Sequence, residues 1–561
     1  MKLPLLKKCV AITGLALLLL FCLNCGGGGG DGTTSEDSVT SLEKGELVIG
    51  LTDADGDFTA YQVDVVSIKL YREDGAEISV LPVASTIDFT EYIDVTELLS
   101  TTSLSKGRYV SGNMVLDYSQ HDVQIEVSGN SVTAEVIDSL GDPIDQIEMS
   151  FNFGAENLEI TKGSSAFLSL DFDLQATNEV DLSGETPTVT VTPLLIAEIN
   201  GESFKQQRTR GLLTIVDTSA QTFEMKIRPL KTNSGSFGSL TVEVDENTLF
   251  DVDGGSFIGL SGLSALEAVD LETLVTVTGN LNLQSGFMEA DMVSAGNSVL
   301  GNAYDFGKGS VVAIEGNVLT LRGGTLKRHN GAERRGGLTY VELGDLTEVT
   351  KSNDLSEGTV EDLLIGSQIL VYGEASTESG NRILENVQNV KLHDSELQGE
   401  VVSIGVSSLM LNIQSINGRD VSIFPIDTPE MFLISTASLD LSSLEVNDLL
   451  KIEGYFSSSS EFDAMSILDV SNVGVKASIS WTEELSGSPL LSVADMNAVI
   501  SLNEEVLSRR HHIYQGRLKS DLLDHGSSLN LFSPTDMGSF TLSFQGESTP
   551  YTSFNDFMEA L

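Results

Sequence analysis

Cysteine is nearly missing from this chain. Cys9, Cys22 and Cys25 are the three present among 561 residues, so everything after residue 25 lacks disulfides and cysteine-based metal sites. Tryptophan occurs once, at Trp481, and aromatics make up 6% of the residues, too few for a row of base-stacking platforms. Basic residues are scarce, 31 against 82 acidic ones, and the net charge of −51 excludes the cationic footprint that nucleic acid requires. The six histidines, His121, His329, His393, His511, His512 and His525, are scattered. The adjacent pair among them would point to opposite faces of a strand and cannot easily share a metal. No Gly-x-Ser-x-Gly elbow, His-Glu-x-x-His helix, phosphate loop or dinucleotide fingerprint occurs. No apolar run is long enough to cross a bilayer: residues 9–23 span about fifteen residues, where a spanning helix needs roughly twenty.

What is present begins with Lys2, Lys7 and Lys8, then that short apolar run, then Asn24-Cys25 and the five glycines 26–30. A charged start, a short apolar core and a small-residue break make a secretory signal. A cysteine at the break followed by polyglycine resembles the lipobox of bacterial lipoproteins, with Cys22 where leucine is usual and Asn24 in the small-residue position. The resemblance implies cleavage before Cys25, a thioether-linked diacylglycerol on its sulfur and an acyl chain on the new amine. Each buried methylene contributes roughly 0.8 kcal/mol, so two or three chains hold a protein persistently where one does not. Gly26 is not the aspartate that retains such proteins in the inner membrane, which implies the outer membrane of a Gram-negative bacterium.

Residues 26–45 are Gly, Ser, Thr, Asp and Glu with few apolar side chains, and read as a flexible linker. From residue 46 short alternating apolar runs recur between Gly, Asn, Asp and Ser, the pattern of half-buried strands. Asp74-Gly75 between two such runs predicts a hairpin. Helical periodicity is limited to a turn or two at 95–100 and 360–364. The chain is all-β: a β-sandwich followed by three or four small β-barrel-like domains in series. The remaining acidity is that of a well-solvated surface.

The sandwich is expected over 46–198. It opens with Leu51-Thr52-Asp53-Ala54-Asp55-Gly56-Asp57, continues through Gly107-Arg108-Tyr109, and reaches Leu170-Asp171-Phe172-Asp173-Leu174 near its end. These motifs resemble an uncharacterised family of lipoprotein domains marked by Leu-Thr-Asp-Ala-Pro, with Asp55 in place of the proline. That resemblance implies a sandwich and no activity. Asp53, Asp55 and Asp57 are candidate oxygen ligands for Ca²⁺, the alternative being a turn with carboxylates capping backbone amides. Asp251-Val252-Asp253-Gly254-Gly255 is a weaker case of the same kind.

Repeats follow at 199–298, 299–392 and 393–475, with 476–561 a diverged repeat or cap. Gly309-Ser310-Val311-Val312 matches Gly399-Glu400-Val401-Val402, with a looser version from Gly211, and each unit later closes on apolar-x-Gly at Gly279, Gly373 and Gly454. A middle strand is expected at 240–244, 338–343 and 421–424. The units resemble a second uncharacterised family of repeated bacterial surface domains with OB-like character. Arg322, Lys327, Arg328, Arg334 and Arg335 crowd one stretch of the second repeat, and Arg509, Arg510, Arg517 and Lys519 form another. The first group is expected to dock onto a neighbouring domain's carboxylates or to bind an anion. These readings point to a monomeric, non-enzymatic, lipid-anchored envelope protein, an extended string serving as binding, spacer or adhesion module for an unidentified protein or glycan. A carbohydrate-binding accessory is the alternative, and an unrecognised hydrolase a further one. No cofactor is expected beyond the lipid and the Ca²⁺ option.

Overall fold

Alternation of apolar and polar side chains produces strands almost from the first described residue. The computed structural model describes residues 43–561 apart from 53–57, 93–94, 128–129, 139, 154–156, 185, 193, 200–205, 230–233, 301, 303, 324, 330–332, 335–337, 377–381, 438, 471–475, 481–489, 495–496, 503–507, 516–517, 522–525, 533–536 and 545–546. The strand Lys44–Thr52 runs parallel to Ser165–Asp171 on one side and antiparallel to Val95–Ser105 on the other. Its Leu47, Val48, Ile49 and Leu51 are all buried, as in a strand covered on both faces. The opposing sheet holds Phe58–Arg72, Gly107–Val127 and Gln146–Asn152. Phe58–Arg72 pairs with Gly107–Val127 through four register shifts, and such bulges bend and twist a long pair. The Asp74-Gly75 turn leads into Glu77–Ser79 with Gly75 at φ 87°. The turn expected at 95–100 is instead part of a strand: Thr96, Glu97, Leu98 and Leu99 are buried between two neighbours, and pairing overrides the local pattern.

Three closed barrels follow, each with strand order 1-2-3-5-4-1. The first uses Gln206–Asp217, Thr222–Ile227, Ser239–Glu243, Leu274–Asn282 and Phe287–Ala295. The second uses Asp305–Glu315, Val318–Arg322, Leu338–Glu342, Gln368–Ala375 and Ile383–His393. The third uses Ser395–Ile404, Ser408–Ile416, Phe432–Ser435, Leu449–Ser458 and Glu461–Asp469. In each, strand three is parallel to strand five and the other pairings are antiparallel, which closes a small Greek-key barrel of OB-like form. The middle strand of the third barrel is not at 421–424. Asp420 accepts the Ser422 amide at 2.8 Å and sets a 3-10 turn at Val421–Ile423, so the strand forms later, after Pro429. A short helix, Leu260–Glu267, joins strands three and four of the first barrel.

The apolar-x-Gly repeat has a steric cause. Gly279, Gly373 and Gly454 sit where strands four and five shift register. A Cβ at Gly279 would lie 2.0 Å from the Glu289 carbonyl oxygen, and one at Gly454 2.1 Å from that of Asp463. Only glycine lets the partner backbone approach so closely. Gly454→Ala is expected to destabilise the third barrel by about 1–3 kcal/mol, read as a lower urea midpoint at unchanged m-value.

Strand pairing joins the first domain to its neighbours. Gln206, Gln207 and Arg208 pair in parallel with Val95, Thr96 and Glu97, so the first barrel continues the sandwich's sheet. The region after 475 is no closed barrel among the described residues. It contains two three-stranded sheets and a C-terminal hairpin, Met537–Phe544 with Glu547–Ser553. Glu547 and Ser548 of that hairpin pair with Ser150 and Phe151 at the sandwich edge, so the chain's end returns to its first domain. Residues 43–561 cluster as one unit by their contacts, with the barrels in series along it.

Candidate functional site

Cys25, Asp53, Asp55 and Asp57 lie outside the described residues. The residues on either side of 53–57 are described. Thr52 pairs with Asp171, and the Phe172 amide donates to the Thr52 carbonyl at 3.4 Å. Thr52 of the first motif and Asp171 of the last therefore meet at one end of the sandwich. There Asp171 accepts the Asp173 amide at 2.9 Å, and Asp88 accepts the Tyr61 amide at 3.0 Å and the Thr90 hydroxyl at 2.8 Å. Phe172 packs at 4.6 Å from the Phe89 ring and 5.7 Å from Tyr61, centroid to centroid. The Tyr61 hydroxyl meets that of Tyr118 at 2.9 Å and donates to Asn178 Oδ1 at 2.8 Å. Burial pushes the Tyr118 phenol well above its ordinary pKa, so it stays a neutral hydrogen-bonding group. Among the described residues no group of three or more His, Cys, Asp or Glu has a metal-holding arrangement.

The basic stretch of the second barrel divides. Arg322 donates to Glu126 of the sandwich at 2.9 Å and 2.5 Å, and Arg419 of the third barrel reaches the same carboxylate at 3.5 Å. Arg419 also donates to the Gly323 carbonyl at 3.2 Å. One carboxylate thus gathers guanidinium groups from two barrels. Arg328 donates to the Ser376 carbonyl within its own barrel. Arg334 pairs through its backbone with Leu326, and Arg335 is outside the described residues. Of the other basic group, Arg509 and Arg510 fall on the strand Ser508–Gln515.

A dense charge cluster among the described residues carried no sequence signal. Where the first barrel continues the sandwich sheet, Glu97 is 2% exposed and is held by Arg208 Nε at 2.5 Å and Arg210 Nε at 3.3 Å. Arg210 also donates to Glu91 at 3.0 Å, and Arg208 lies 6.0 Å from the Tyr92 ring centroid. Burial alone would raise the Glu91 pKa; the charges of Arg210, Arg208 and the second barrel's Lys327 outweigh it and hold the carboxyl down at about 2. Lys327 thereby belongs electrostatically to this seam.

Two further junctions fix the barrels. Asn417, at φ 51°, accepts the Glu396 amide at 2.9 Å and donates to Ser310 Oγ at 3.0 Å and the Gly366 carbonyl at 2.8 Å, tying the second barrel to the third. Asp251 of the first barrel contacts Lys391 of the second, and Asp253-Gly254, both at positive φ, make the hairpin turn after it. The carboxylates of the weaker Ca²⁺ candidate are thus engaged: Asp251 with Lys391 and Ser298, Asp253 with the Asn297 amide at 2.8 Å. Buried or half-buried ion pairs thus join neighbouring modules across these seams.

Residues 44–193 match the family described as a domain of unknown function, DUF4382. No curated protein matches the chain. A solved structure of Drosophila Unr CSD456 aligns with 47% of this chain and 96% of its own length, at 10% identity and a TM-score of 0.12, a likeness that carries no argument.

Proposed function

We infer that this protein is a lipid-anchored, non-enzymatic module of the cell envelope, presenting one stiff multi-domain body for binding or spacing. The observation that carries the reading is the N-terminal signal run ending at Cys25, with polyglycine and a polar tether leading to a body that begins at residue 43. The interdomain ion pairs favour a body that transmits position over a floppy string, because each pair fixes a domain angle. The acidic surface leaves attachment to the acyl chains rather than to anionic headgroups.

The test is acylation. Cells supplied with labelled palmitate should label the protein at Cys25, and the Cys25→Ser protein should stay unlabelled. An unlabelled wild-type protein, or a Cys25→Ser protein that still takes up label, would contradict the reading.

A further inference from the structure

We propose that the side chains of Lys391 and Asp251 become joined by an amide bond, linking the first two barrels covalently. Asp251 lies on the strand Leu249–Val252 of the first barrel, and Lys391 on the last strand of the second. Asp251 is 2% exposed and Lys391 8%, and the lysine nitrogen directly contacts Asp251 Oδ2. The other carboxylate oxygen accepts a hydrogen bond from Ser298 Oγ at 2.5 Å, and Ser298 Oγ accepts the Gly254 amide at 2.7 Å. The surroundings are largely apolar. Leu370 is Lys391's partner in the sheet and clusters with Phe306 and Tyr372, all buried. His393, two residues along, is held neutral, its pKa pushed down to about 3 by burial and then by Lys308 and Lys391.

Amide formation needs a neutral amine beside a protonated carboxyl. Burial pulls the Lys391 amine down to about 8, so a usable fraction is uncharged near neutral pH. Within the contact, proton transfer from ammonium to carboxylate generates both neutral partners at once. The lysine nitrogen then attacks Asp251 Cγ. Charge developing on Oδ1 is stabilised by the Ser298 hydroxyl, itself oriented by the Gly254 amide, in the manner of an oxyanion hole. Oδ2 departs with its bonding pair and two protons as water. One C–N bond forms, one C–O bond breaks, and no oxidant or cofactor is consumed.

The driving force is desolvation. A buried ion pair loses much of its mutual attraction to the cost of taking two charges out of water, whereas the amide carries no charge. The same burial that activates the amine keeps hydrolytic water away from the product. The described part of the chain has no cysteine, so this link would be a covalent staple of a kind that needs no thiol. The inference stands apart from lipid anchoring, because it concerns only the seam between two barrels.

Intact-mass spectrometry of the purified, folded protein tests it. The expected mass is lower than that of the sequence, after allowing for N-terminal processing, by one water molecule. Digestion should give one branched peptide carrying both Asp251 and Lys391. Lys391→Arg and Asp251→Ala should each restore the missing water, and Lys391→Arg, which keeps the charge, should lower the thermal midpoint. Recovery of the branched peptide from even a fraction of the molecules supports the proposal. Wild-type protein at full mass, with both peptides recovered only unlinked, overturns it whether or not the variants fold.

Discussion

Glu97→Ala is expected to lower the stability of the seam between sandwich and first barrel by about 3–5 kcal/mol, because it leaves two guanidinium groups without their buried carboxylate. Arg208 and Arg210 both bond Glu97, and their own side chains are mostly covered, so water cannot replace the lost partner cheaply. Glu97→Gln should cost less, since the amide oxygen still accepts one hydrogen bond. Chemical denaturation followed by far-UV circular dichroism checks both. A Glu97→Ala protein unfolding at the wild-type midpoint would show that the seam does not hold the domains.

The same cluster gives a pH dependence with a definite sign. The folded pKa of Glu91, about 2, lies below its ordinary 4.5, so the unfolded chain binds the proton more readily. Its stabilisation is fully present above about pH 5 and is lost as pH falls through the interval down to 2. The amount at stake is on the order of 3 kcal/mol from the size of the shift. Glu91→Gln should flatten the acid limb of the stability curve over that interval.

Phe172→Ala is the second large effect, about 3–5 kcal/mol. Phe172 is fully buried between Phe89 and Tyr61, and its removal opens a cavity beneath the Tyr61–Tyr118–Asn178 hydrogen bonds. Phe172→Leu should recover part of the loss. Loss of near-UV tyrosine signal with far-UV signal retained would place the damage in this packing. A Phe172→Ala protein with unchanged thermal midpoint would contradict the packing of Phe172 against Phe89 and Tyr61.

The all-β architecture and its repeated barrels were legible because strands leave a period of two and because strand crossing demands glycine at Gly279, Gly373 and Gly454. The Asp74-Gly75 hairpin was legible for the same reason, since a tight turn needs a residue free to take positive φ. The helix Leu260–Glu267 was missed: it is two turns long, and Gly262 and two serines weaken its local signal. The third barrel's middle strand was misplaced because 421–424 is apolar enough to pass for a strand while Asp420 caps it as a turn.

The charge clusters were hidden by composition. With 82 carboxylates in the chain, nothing distinguishes Glu97 or Glu126 from their neighbours until folding brings arginines from more than a hundred residues away. Arg322 stood out only because basic residues are rare here. Lys391 and Asp251 come from different barrels, and no local pattern marks either. Asp53, Asp55 and Asp57 lie outside the described residues, directly after Thr52, which pairs with Asp171.

Small-angle X-ray scattering of the protein expressed without residues 1–25 tests most directly whether the domains form one stiff body. The arginine–carboxylate seams predict one radius of gyration and one maximum dimension, both unchanged by moderate salt. A radius that grows as salt screens these pairs, or a curve that fits only a mixture of domain arrangements, would contradict it.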